Sequence, residues 1–152
     1  LRRYDEAIAQ CQKTLAMDDK FYNAHLYLYE IYNAKEMHAE AVETYFKVEA
    51  LSVMPLSSDY QEKLREVYQI GGIRAFWEKR IEFFPGNLPF QYQIAQHYAR
   101  LGKRDEAFSH LRKAYETREF EFVLFLADPT FDDLRADQRS KEFTDLLLSS
   151  KD

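Results

Sequence analysis

Along most of this chain apolar residues return at intervals of three and four, the spacing of one face of an α-helix. In GKRDEAFSHLRKAYE, residues 102–116, Ala107, Leu111 and Ala114 fall on one side and charge on the other. The layout recurs in RRYDEAIAQCQKTLAMDD from Arg2 and in KEMHAEAVETYFKVEALS from Lys35. Each has acidic residues, then an alanine, then a larger residue four positions on and a core position three further. The alanines are Ala7, Ala41 and Ala107; the first two stand 34 residues apart and the third lies 66 beyond the second, close to two periods. Cys11, Tyr45 and Leu111 follow them by four, and Thr14, Val48 and Ala114 by seven. A helical period near 34 predicts stacked helical hairpins. Leucine at the alanine positions would bury more apolar area, at about 25 cal/mol per Å². Alanine there predicts that another helix comes close.

With the helices that precede them, these segments resemble the tetratricopeptide repeat family over most of the chain. In FQYQIAQHYARLGK, residues 90–103, Ile94, Ala95 and Tyr98 match the family's Leu, small and Tyr positions, and Gly102 its turn glycine. Pro85, with Gly86 and Asn87, matches the proline and turn that close the preceding repeat. In YNAHLYLYEIYNAKEMHAEA, residues 22–41, Leu28, Tyr32 and Ala41 match, but Tyr29 stands where the family places a small residue. That hairpin is expected to splay locally or to turn the ring outward. The resemblance implies an all-α, right-handed superhelical stack of antiparallel helix pairs with a C-terminal capping segment. Residues 1–19 read as the second helix of a truncated repeat, 20–53 as a repeat, 54–87 as a degenerate repeat, 88–119 as a repeat and 120–152 as the cap.

The degenerate repeat opens with SSDYQEKLREVYQIGG, in which Ser58 and Gln61 are spaced as a capping box, Tyr60, Leu64 and Val67 share a face, and Gly71–Gly72 ends the helix. In IRAFWEKRIEFFPGN, Ala75 follows Ala41 by 34, whereas counting back from Pro85 puts Trp77 at the aromatic position and Ile73 at the alanine position. The register from Pro85 is preferred, because it also turns Tyr60 and Leu64 inward. In the tail, Asp128 followed by Pro129 reads as a helix start, and Phe131, Leu134, Phe143, Leu146 and Leu147 as buried residues. The tail has the composition of a terminal unit with a polar outer face. DPTFDDLRADQRSKEFTDLL also resembles the ending DP-x-FD-x-LR-x-DPRF-x-x-LL of helical-repeat regions in bacterial multidomain regulators, with Gln138 in place of the second proline. The front ends of those regulators are winged-helix DNA-binding domains, kinases or cyclases.

The 152 residues are 46% hydrophobic and 16% aromatic with only four Gly and four Pro, which fits helices and disfavours disorder or a turn-rich sandwich. Net charge is −5 with the basic residues scattered, so nucleic acid is not expected as a partner of this segment. Cys11 excludes an internal disulfide and a four-thiolate zinc site, and reads as an inert thiol at a core position; one cysteine fits the cytoplasm, or the periplasm of a membrane-anchored parent. The apolar run FVLFLA, residues 122–127, is far short of the roughly 20 residues that cross a bilayer, so no membrane insertion is expected. The chain opens at Leu1 within a helical pattern, without Met or a signal-peptide layout, and reads as a piece of something longer. The uncovered side of that first helix makes a homodimer contact a further expectation.

Chemistry is hard to find. His25, His38, His97 and His110 form no HExxH arrangement, and His97 and His110 are expected on the surface. There is no P-loop, GxGxxG or GxSxG, and DPTFDDLRAD lacks the glycine and terminal glutamate of a calcium loop. No catalysis, metal or cofactor is expected. The resemblance instead implies a concave inner face carrying Asn23, Leu26, Tyr27, Glu30 and Asn33, then Ser58, Glu62 and Arg65, then Tyr92, Gln96 and Arg100. Such a face binds a peptide or protein, as a scaffold or regulatory module of a larger bacterial protein. Glu30 and Glu62 favour a partner with some basic character. Arg100 has no preceding inner-face lysine, which argues against a clamp for a terminal carboxylate. The alternative is a small-molecule sensor domain of a bacterial transcriptional regulator or signalling protein, favoured by the clustered tyrosines.

Overall fold

A computed structural model describes residues 3–84 and 90–149. The described residues are helical and contain no strand: α1 (Tyr4–Met17), α2 (Tyr22–Ala34), α3 (His38–Ala50), α4 (Ser58–Phe83), α5 (Gln91–Arg100), α6 (Arg104–Glu116), α7 (Asp132–Arg135) and α8 (Ser140–Ser149), with 3-10 segments at Phe120–Leu126 and Pro129–Phe131. They form two compact units, one ending at Lys63 and one beginning at Leu64.

In the first unit α2 packs on both α1 and α3. Its buried apolar residues are Ala24, Leu28 and Tyr29 on α2, and Ala41, Val42, Tyr45, Phe46 and Val48 on α3. Ala41 is fully enclosed, as a close helix approach requires. Tyr29 does not turn outward: its ring is buried 5.8 Å from that of Tyr45, and this aromatic contact fills the volume a small residue leaves elsewhere. On α1, Tyr4, Ala7, Ile8, Cys11 and Leu15 are half-buried, and no α1 residue is fully buried. Cys11 therefore occupies a half-covered stripe and not the core position expected from the sequence. Partial burial raises its thiol pKa, so the nucleophilic thiolate is disfavoured.

The turns joining α2 to α3 and α5 to α6 are the same structure repeated. After α2, Met37 N–H donates to Tyr32 C=O at 2.8 Å and Glu36 N–H to Asn33 C=O at 3.1 Å, with Glu36 in the left-handed region at φ 57°. After α5, Lys103 N–H donates to Tyr98 C=O at 2.9 Å and Gly102 N–H to Ala99 C=O at 2.9 Å, with Gly102 at φ 74°. Both are Schellman closures, and every residue of the second lies 66 positions after its counterpart. A glutamate at the left-handed position carries a Cβ penalty that glycine avoids. Glu36→Gly should stabilise the first unit by about 1 kcal/mol, read as a higher urea midpoint at unchanged m.

The element α4 is two helices meeting at a kink, because Gly72 sits at φ 66°, ψ −160°. A Cβ on Gly71 would stand 2.5 Å from Ala75 Cβ, so both glycines are required where the axis bends. The first of these helices ends at Gly71–Gly72, as the sequence predicts, and the second runs on to Phe83. The N-terminal cap also differs by one residue. Ser57 Oγ, not Ser58, accepts from Tyr60 N–H at 3.3 Å, while Gln61 Nε2 donates to Leu56 C=O at 2.9 Å. Leu64, Phe76, Trp77 and Arg80 are buried, and Ile73 and Ala75 half-buried. Trp77 thus lies inward, as counting from Pro85 expects; Pro85, Gly86 and Asn87 themselves lie outside the described residues.

The second unit has a continuous core in which Ala95 on α5 meets Ala107, Leu111 and Ala114 on α6, all fully or almost fully enclosed. The tail completes it with Phe122, Phe125, Phe131, Leu134 and Phe143, and with Leu146 and Leu147 half-buried against them. Of the tail residues the sequence predicts to be buried, Phe131, Leu134 and Phe143 are in this core and Leu146 and Leu147 pack against it. The exposed side of the tail carries charged residues such as Asp132, Asp133, Arg139, Lys141 and Glu142, but it is not polar throughout, because Phe120, Val123, Leu124 and Leu126 are exposed as well.

Candidate functional site

The proposed inner-face residues fall into two settings. On α2, Asn23, Tyr27 and Glu30 sit at helical spacings of four and three and share a side; Asn23 is exposed, Tyr27 is 60% exposed, and Glu30 and the adjacent Leu26 are half-buried. Asn33 Nδ2 donates to Tyr29 C=O at 2.8 Å, turning that side chain back onto its own helix. Ser58, Glu62 and Arg65 are exposed along α4.

On α5 the stripe Tyr92, Gln96 and Arg100 is engaged by the tail. Tyr92 is only 1% exposed; its hydroxyl donates to Asp128 Oδ2 at 3.0 Å, where Gln96 Nε2 also donates at 2.8 Å. Arg100 Nη2 donates to Thr130 Oγ1 at 3.3 Å. Asp128 at the same time accepts from Thr130 N–H through Oδ1 at 2.9 Å, with Pro129 at the first helical position. One carboxylate thus starts the terminal segment and fastens it to α5. The stripe is a docking surface, and its occupant is the chain's own tail.

Other residues of the DPTFDDLRAD motif act in the same way. Arg135 Nη1 donates to Phe125 C=O at 2.7 Å and Asp128 C=O at 2.8 Å, and its other nitrogen pairs with Asp132. Phe131 and Leu134 are core. Asp137 accepts from the Arg139 side chain and backbone N–H, and these bonds hold its carboxyl down to about 2. Arg139 also reaches Asp105 at 2.6 Å and lies over the Phe108 ring at 4.4 Å, while Arg112 grips Glu142 with two bonds of 2.6 Å. Three of the motif's aspartates, Asp128, Asp132 and Asp137, thus serve to close this segment.

The amino end of α5 is completed from a distance. Phe90 provides no side-chain cap, and the buried Glu119 carboxylate accepts instead from Gln91 N–H and Tyr92 N–H, each at 2.8 Å. A carboxylate suits this place because the helix leaves unpaired donors and partial positive charge there.

Neither His97 nor His110 is the surface histidine the sequence implies. His110 is half-buried, stacks on Tyr98 at 5.2 Å and donates from Nδ1 to Gln91 Oε1 at 2.8 Å. Burial, then Lys113, lowers its pKa. His97 is 3% exposed, its ring is 6.0 Å from that of Phe84, and both ring nitrogens are buried without a hydrogen-bond partner. Burial, then Arg80 and Arg100, pushes its pKa well below the usual value. A sequence signal existed: position 97 lies 66 after Ile31, an apolar residue of the equivalent helix.

Among the described residues no group of His, Cys, Asp and Glu is arranged to hold a metal ion, and no helix is long and apolar enough to cross a membrane. No family model matches the sequence, and no curated protein or solved structure is significantly similar to the chain.

Proposed function

We propose that this chain is a helical-repeat module of the tetratricopeptide type, part of a larger bacterial protein, that holds a protein or peptide partner and performs no chemistry itself. The repeat reading is supported by the two identical Schellman turns 66 residues apart and by enclosed alanines at equivalent positions, Ala41 and Ala107. The observation that carries the binding role is the side of α2 bearing Asn23, Tyr27 and Glu30. Its opposite residues Ala24, Leu28 and Tyr29 are packed, yet a large aromatic ring remains 60% exposed between two polar groups. An amphipathic ring held on a rigid helix buries much area at little entropic cost, which is the character of an interface anchor. Glu30 gives the face a preference for a partner with basic character.

The test is site-specific photo-crosslinking with benzoylphenylalanine at Tyr27 and, for comparison, at the exposed Lys113 of α6. One protein should be trapped from position 27 and not from 113, and with that protein purified, Tyr27→Ala should weaken binding by about tenfold. Equal trapping from both positions, or unchanged affinity in Tyr27→Ala, would overturn the assignment.

A further inference from the structure

We infer that the exposed side of the 3-10 segment Phe120–Leu126 is a second docking surface, and that it receives an amphipathic helical segment whose apolar side chains are flanked by lysine or arginine. In a 3-10 helix residues three apart eclipse, so Phe120, Val123 and Leu126 stand in one row about 12 Å long. The row is apolar throughout and faces water: Phe120 is 79% exposed, Val123 55% and Leu126 39%, with Leu124 exposed beside it. Together these four present roughly 450 Å² of mostly apolar surface, within the range of the largest patch on a typical monomer, a patch that is often functional.

The row is held on a rigid support. Phe122 and Phe125 point the other way into the core, within 5.8 Å and 5.8 Å of the Phe143 ring, and Phe125 lies 5.5 Å from Phe131. The segment is closed at its start by Glu119 N–H to Ala114 C=O at 2.9 Å and at its end by Asp128 N–H to Leu124 C=O at 2.8 Å. A partner therefore meets a surface whose backbone is already ordered, which lowers the entropic cost of docking.

Charge selects the occupant. Between residues 116 and 133 the exposed carboxylates outside the Asp132–Arg135 pair are Glu116, Glu121 and Asp133, against one exposed cation, Arg118. Glu121 follows Phe120 in the segment itself and Glu116 ends α6 four residues before it, and both are exposed. A second copy would bring two such rims together, and an anionic membrane surface would be repelled in the same way. An apolar segment with basic flanks satisfies both the row and its rim.

The experiment uses the full chain and two fluorescein-labelled model peptides of about 18 residues, one built of leucine and lysine in helical period and one of leucine and glutamate. Anisotropy titrations should show binding of the Leu/Lys peptide only, weakened by raising NaCl from about 50 to 300 mM. Val123→Asp/Leu126→Asp and Glu116→Lys/Glu121→Lys should each weaken it at least tenfold, with helicity by circular dichroism and Trp77 fluorescence unchanged. Tyr27→Ala/Glu30→Lys, which alters the face of α2, should leave it unchanged; a loss confined to that variant overturns this surface while favouring the other. Unaltered affinity in Val123→Asp/Leu126→Asp also overturns it. So does a dimer in sedimentation equilibrium, or binding to phosphatidylcholine vesicles, that this same variant abolishes.

Discussion

Phe131→Ala should lower the unfolding free energy of the second unit by about 3–5 kcal/mol, the cost of removing a large ring from a site that cannot collapse around the gap. The ring is fully enclosed, 5.3 Å from Tyr92 on α5 and 5.5 Å from Phe125 in the preceding 3-10 segment, so its loss opens a void between two elements at once. The measurement is urea unfolding followed by Trp77, the chain's single tryptophan, which is buried in this unit. Phe131→Leu keeps most of the volume and should cost no more than about 1.5 kcal/mol. Unchanged stability in the alanine variant would mean that the tail does not pack on α5.

His97→Leu should have the opposite sign. Two buried, unpaired ring nitrogens cost about 1–3 kcal/mol each, so a side chain of similar size without them should stabilise the second unit by about 2 kcal/mol at neutral pH. The gain should grow on acidification. The His97 pKa is depressed in the folded state, first by burial and then by Arg80 and Arg100, so the unfolded chain takes up the proton first as pH falls through the ordinary value of 6.5. Stability attributable to this group is complete above that pH and declines below it, by at most about 1.4 kcal/mol per pH unit, until the folded form also protonates. His110, lowered by burial and Lys113, acts in the same direction. Urea midpoints of both proteins between about pH 7.5 and 5 decide the matter: the variant should lose less stability than the parent. Parallel curves would mean that the imidazole is not held neutral in the core.

What could be read from the sequence follows from which signals are local. Alanine at a helix crossing is such a signal, since nothing larger fits, and Ala41, Ala95, Ala107 and Ala114 are all enclosed. The tail's Phe131, Leu134 and Phe143 were equally legible, because they recur on one face after a marked start at Asp128–Pro129. The cap of α4 was misplaced by one residue because Ser57 and Ser58 offer identical chemistry, and only the backbone path decides which hydroxyl meets Tyr60 N–H. His97 is not legible as a core residue because its polarity suggests exposure, whereas the ring is buried 6.0 Å from that of Phe84. The row Phe120, Val123, Leu126 is less visible in the sequence because of its period of three: at 3.6 residues per turn each of these residues is turned about 60° from the one before, and a 3-10 winding aligns them. For the binding face, sequence position alone assigned α2 and α5 the same role. Asp128, 36 residues beyond Tyr92, makes them different.

The carboxylate of Glu119 at the start of α5 has a consequence for the order in which the chain acquires its shape. A helix of ten residues is marginal by itself in water, and this one borrows its first hydrogen-bond acceptor from a residue 28 positions downstream. During synthesis α5 emerges before the group that completes it, and it remains unfinished until α6 has formed, turned at Arg118 and brought Glu119 back. Any piece of this protein in which α5 is complete therefore runs at least from Gln91 to Glu119, and a ribosome or a protease that stops one residue short leaves a helix without a beginning.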